Sequence, residues 1–132
     1  MPDNQSLSVY TVNAFTDKPF GGNPAAVVPL EVPLSDELMQ AIAAQHNLSE
    51  TSFLEQLGPD HYRLRWFTPV NEVPLCGHAT LASAFALCHS GAWQSDRLCF
   101  ETASGQLWVS RSGTTFSIDF PAVFMVKVPV SD

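Results

Sequence analysis

Two short stretches hold residues of the types that move protons. Asn47-Leu48-Ser49-Glu50-Thr51 puts a carboxylate between an expected helix end and an expected strand start, with apolar residues on both sides. A carboxylate that takes a proton from carbon works best when desolvation brings its pKa toward the working pH. The competing reading of Glu50 is an ordinary solvated residue at a turn, and Ser49 beside it is a candidate substrate contact. Cys76-Gly77-His78-Ala79-Thr80 stands at a loop-to-helix junction. There the first-turn N–H groups lack helical acceptors and favour an anion. Gly77 lets a ligand approach the backbone. His78 can give or take a proton near neutral pH, although a histidine at a helix start is more often a solvated or capping residue.

Cys76 is open to two readings. A thiol beside a helix N-terminus is expected to have a depressed pKa and to act as a base or nucleophile. Free cysteines are otherwise small buried hydrophobes, the reading for Cys88 and Cys99. A third stretch, Asn13 to Thr16 followed by Phe20-Gly21-Gly22-Asn23-Pro24-Ala25, reads as a constrained loop offering donors to a ligand, Asn23 among them. It matches neither phosphate-binding glycine pattern. His46, His61 and His89 fall at element ends and read as surface residues. No H-E-x-x-H, no carboxylate cluster of metal-binding spacing and no G-x-S-x-G occurs, so neither metal nor cofactor is expected.

The elements that must position these residues follow from pattern. Ser8 to Thr16 reads as a strand, Gly21 to Pro24 as a turn, and Ala25 to Leu30 as a short strand buried on both faces. Ser35 is a good N-cap for a helix with acidic first-turn residues Asp36 and Glu37 and an apolar stripe of Leu38, Met39, Ile42 and Ala43, ending near His46-Asn47. Thr51 to Leu57 and His61 to Thr68 form a hairpin about Gly58-Pro59-Asp60, and Pro69 to Pro74 a loop. From Gly77 the chain is apolar almost all round, the mark of a helix inside a core, closed by His89-Ser90-Gly91. Arg97 to Phe120 reads as three short strands, and Val123 to Val130 as a final strand at an edge or interface. The whole is an α+β domain, residues 1–132, whose mostly antiparallel sheet rolls around a central buried helix, with a second helix besides.

Composition narrows the partners. With 132 residues, 45% hydrophobic and 14% charged, the chain is expected to fold without staples. Six Lys+Arg against 13 Asp+Glu give a net charge of -7, and the cations are scattered. Nucleic acid and anionic membranes, which need clustered cations, are therefore not expected as partners. Three cysteines without a C-x-x-C pair suggest free thiols in a reducing compartment. With no leader-like start and no long apolar run, the expected location is the cytoplasm.

In order, V-N-A-F-T-D-K-P-F-G-G-N-P-A-A-V-V (Val12 to Val28), N-L-S-E-T-S-F (Asn47 to Phe53) and P-L-C-G-H-A-T-L-A (Pro74 to Ala82) resemble the N-terminal domain of PhzF-like, or phenazine-biosynthesis-like, isomerases. The resemblance runs from about Val9 to Pro121 and implies a diaminopimelate-epimerase-like fold of two similar domains with the active site between them. It implies that Glu50 transfers a proton and that His78 is its partner. It also places Cys76 where related epimerases carry a catalytic cysteine, although those have Gly-Asn where this chain has Gly77-His78. The second-domain segment is not in this sequence, and Ala122 to Asp132 looks unlike the usual interdomain connection. The expectation is a homodimer whose shared cleft isomerises or epimerises a small carboxylate without a cofactor. The alternative is a non-catalytic domain that binds a small carboxylate or a protein partner.

Overall fold

A computed structural model of the chain describes residues 7–14, 23–112, 115–119 and 125–129, with the side chains of 13, 14, 23, 115 and 125–129 left aside. The elements run β1 (Tyr10–Ala14), β2 (Asn23–Leu30), α1 (Asp36–His46), β3 (Glu50–Gly58), β4 (His61–Phe67), β5 (Glu72–Val73), α2 (Gly77–His89), β6 (Arg97–Thr102), β7 (Gly105–Ser112), β8 (Thr115–Asp119) and β9 (Met125–Pro129). The strands form one curled sheet in the order β1-β2-β3-β4-β6-β7-β8-β9, with the short β5 on β4. Only β2·β3 and β4·β6 pair in parallel. Each of those joins follows a helical crossover, the connection that parallel neighbours require.

α2 is enclosed by the sheet because it presents apolar or small residues on every side. Ala79 through Ala84, with Ala86 and Leu87, are all buried. They meet Ala25 and Val27 of β2, Leu54 of β3, Leu64 and Trp66 of β4, and Phe100, Val109 and Ile118 of the later strands. α1 lies on the opposite face of the sheet, where Met39 and Ala43 pack on Val28, Phe53 and Phe67. β3 therefore alternates, with Leu54 toward α2 and Phe53 toward α1.

The Ser35 side chain accepts from the Leu38 N–H at 3.1 Å. Asn47 closes α1 in the left-handed region at φ 53, its N–H bonded to the Ala43 carbonyl. Two boundaries differ from the sequence reading. Asn23 and Pro24, expected in a turn, are the first residues of β2, because the β1 ladder continues through Asn13↔Pro24 to Ala14↔Asn23. Gly21 and Gly22 lie outside the described residues. The expected loop before α2 contains β5, whose Glu72 is held by a two-pronged contact from Arg65 at 2.8 Å for each prong. The terminal strand is β9, at the sheet edge beside β8. Among the described residues no helix is long and apolar enough to cross a membrane.

Candidate active site

The end of α1 and the start of β3 deliver Glu50. After the left-handed cap at Asn47 the chain turns through Leu48 and the exposed Ser49, and Glu50 opens β3 in register with Ala25 of β2. The start of α2 delivers His78. Cys76 is the extended N-cap residue at φ -148, and its carbonyl accepts from both the N–H of Thr80 at 3.1 Å and the Thr80 hydroxyl at 2.7 Å. The two segments are tied where β3 passes the first turn of α2: the buried Ser52 hydroxyl reaches the Ala79 carbonyl at 3.5 Å, and Ser83 reaches the same oxygen at 2.8 Å. A further anchor holds the approach to the helix, with Ser104 donating to the Pro74 carbonyl at 2.7 Å.

These restraints bring Glu50 Oε1 to 2.6 Å from His78 Nε2. Both atoms are shut off from solvent. The rest of each side chain is partly open, His78 at 19% and Glu50 at 17%. Cys76 Sγ lies 3.8 Å from His78 Nδ1. Thus Glu50, His78 and Cys76, separated by up to 28 positions in sequence, form one cluster whose donor atoms all fall within 4.8 Å of one another.

The electrostatics of Cys76 run opposite to the first of its two sequence readings. Burial pushes its thiol up to about 11, and the nearby Glu50 carboxylate pushes the same way. The N–H groups of Ala79 and His78 pull downward but less strongly. A helix N-terminus lowers a thiol pKa only where it outweighs desolvation and neighbouring negative charge. At neutral pH Cys76 is therefore a thiol. It can share or donate a proton but does not act as a standing thiolate.

The other residues named from sequence fall out unequally. Gly77 starts α2, and its N–H is among the first-turn donors without a helical acceptor. Ala79 is fully buried, so only its backbone faces the cluster. Thr80 is also fully buried and commits both hydroxyl and amide to Cys76, leaving it a brace for the helix start. Asn23 opens β2, two residues before the partner of Glu50, and so stands by register at the same end of the sheet. The bracing serines, Ser52 and Ser104, were not singled out in the sequence. Ser52 carries a signal that was there to be read, a small polar residue two places after Glu50 on the same strand face.

Several known proteins are similar to this chain. The family model described as "Phenazine biosynthesis-like protein" matches residues 12–131. An uncharacterized isomerase of Pseudomonas aeruginosa is 55% identical over 88% of this chain and 44% of its own length. The mouse phenazine biosynthesis-like domain-containing protein 1 is 47% identical over 87% of this chain and 42% of its own. A crystal structure of a PhzF-family phenazine biosynthesis protein from Enterococcus faecalis superposes with TM-score 0.83 at 43% identity, covering 96% of this chain and 48% of that one. The chain thus spans less than half the length of the curated relatives it matches.

Proposed function

Because the chain belongs to the phenazine biosynthesis-like protein family, we propose that it carries one wall of an acid/base isomerase site, which moves a proton on a small carboxylate-bearing substrate without a cofactor. The observation that carries this reading is the 2.6 Å approach of Glu50 to His78 beside the first turn of α2. In the proposed reaction the N–H groups of the first turn of α2 hold the substrate carboxylate. The Glu50 carboxylate removes a proton from the carbon next to that group, or conjugated with it. The electron pair moves toward the held carboxylate, where the helix end stabilises the developing charge. Glu50, now protonated, returns the proton to a different carbon, or to the other face of the same one. His78 balances the charge on Glu50 as it changes. Two observations support the assignment: an imidazole and a carboxylate meet at atoms closed to water, and several relatives are named isomerases.

The second wall comes, on this reading, from another copy of the chain paired about a two-fold axis, the commonest oligomer symmetry. Exposed apolar surface supports it. Leu75 is 43% exposed and Val70 83% exposed on the segment leading to Cys76, apolar surface that a covering subunit would remove from water. A second reading has the domain bind a small carboxylate or a protein partner without turnover.

Deuterium wash-in separates the two. The protein is incubated in deuterated water with pools of small amino and hydroxy acids while carbon-bound hydrogen is followed by NMR. Enzyme action gives exchange on at least one substrate, whereas saturable binding with no exchange supports the binding domain. Sedimentation checks the subunit arrangement: a well-folded chain that stays monomeric at micromolar concentration removes the shared cleft.

A further inference from the structure

A second cluster of ligand-type side chains lies on the outer face of the sheet, away from α2. His61 of β4 is the register partner of Cys99 of β6. Glu101, two residues along β6, projects from the same face as Cys99. Their donor atoms all fall within 4.8 Å of one another. His61 Nε2 is 2.7 Å from Glu101 Oε2, and Cys99 Sγ is 4.0 Å from the same oxygen. We propose that His61, Cys99 and Glu101 form a binding site for a zinc-like divalent cation, with a fourth position open to water or an external ligand.

Four features carry this. The donor set is the borderline-soft mixture of imidazole, thiolate and carboxylate that Zn²⁺ prefers. Its geometry is close: bonds of about 2.0–2.3 Å in a tetrahedron put ligand atoms roughly 3.3–3.7 Å apart, between the two separations observed, so small side-chain rotations suffice. One thiolate and one carboxylate neutralise a divalent charge. Finally, the donors stand on paired strands, with the Cys99 N–H bonded to the Asp60 carbonyl at 3.0 Å, and rigid elements hold metal sites better than loops do.

Surrounding groups suit the role. Gln106 donates to Glu101 Oε2 at 2.8 Å, orienting the carboxylate as outer-shell partners of metal ligands do. His61, followed by Gln106, holds the Glu101 carboxyl below its ordinary value. Burial, reinforced by Glu101, holds the Cys99 thiol up. Cation binding must therefore expel the thiol proton, and any proton on the imidazole, to solvent. His61, 38% exposed, and Glu101, 35% exposed, leave a path for the ion, while Cys99 forms the floor. The site is independent of the isomerase reading, since it lies on the face of the sheet away from α2, opposite the core residues Leu98 and Phe100.

Cobalt is the probe, added to the full chain without oxygen. The proposal predicts a thiolate-to-cobalt charge-transfer band in the ultraviolet and the strong visible bands of a tetrahedral ion, saturating at one cobalt per chain and erased by zinc. Cys99→Ser is expected to abolish the charge-transfer band, and His61→Asn to weaken binding at least about tenfold. Cys76→Ser leaves both unchanged. Absence of a band at millimolar cobalt overturns the proposal. So does a band lost with Cys76→Ser and kept with Cys99→Ser, which would put the ion at the Glu50 cluster. Circular dichroism checks the fold of each variant. If Cys99→Ser fails to fold, His61→Asn decides alone, and unchanged affinity there is contradictory.

Discussion

The protonation state of Cys76 offers a sharp test of how the site is built. Its thiol is pushed from an ordinary 9.0 to about 11, by burial first and by the Glu50 carboxylate after the opposing backbone contribution. At pH 8 that difference lowers the thiolate fraction from about one in ten to about one in a thousand, roughly 100-fold. Alkylation by iodoacetamide, followed residue by residue with peptide mass spectrometry from pH 7 to 11.5, reads this directly. The midpoint of the rate profile, rather than the absolute rate, separates ionisation from simple shielding. Glu50→Gln removes the negative charge while keeping the shape, and is expected to lower the midpoint without restoring the ordinary value, because desolvation remains. Stability must follow the same linkage. The folded-state pKa is raised, so the contribution is fully present below about 9 and is lost as pH climbs through about 11. After discounting for partial solvent screening it is on the order of 1–2 kcal/mol. A wild-type midpoint at or below that of a free thiol would refute the reasoning, since the helix N-terminus would then outweigh burial.

Three further outcomes follow from the elements that hold the site. Asn47 sits at φ 53, so Asn47→Gly should leave urea stability unchanged or slightly raised, whereas Asn47→Val should cost about 1–2 kcal/mol. Loss of the Ser35 cap to Leu38 in Ser35→Ala should lower the urea unfolding free energy by about 1 kcal/mol. Trp66 is 1% exposed and its indole N–H has no partner among the described residues. In thermal unfolding Trp66→Phe is therefore expected to cost under about 2 kcal/mol, against about 3–5 kcal/mol for Trp66→Ala.

Much of this architecture is legible in the sequence because local chemistry and tertiary demand agree. Ser35, the acidic first turn and the stripe through Met39 and Ala43 define the start of α1 and place its end near His46-Asn47, and the apolar run after Gly77 defines a helix that only an enclosing sheet could bury. The resemblance of three ordered motifs picks out Glu50 and His78, and the structure brings them to 2.6 Å. Propensity fails where pairing overrides it. Asn23 and Pro24 look like turn residues, yet the β1 ladder draws them into β2. Of the two readings of Cys76, the sequence alone cannot choose, because it shows a helix start but neither the burial nor the carboxylate beside it. His61, Cys99 and Glu101 were invisible together for a plainer reason: β4 and β6 are sequence-distant strands made neighbours by the crossover through α2.

The central claim is that Glu50, partnered by His78, moves the proton at carbon, and that Cys76 does not. Its most direct measurement is the rate of solvent deuterium entry into the substrate found by wash-in, compared across Glu50→Gln, His78→Asn and Cys76→Ser at one pH. The account predicts losses of at least about 100-fold for the first two, with Cys76→Ser staying within about tenfold of wild type. Exchange that survives Glu50→Gln but vanishes with Cys76→Ser would contradict it.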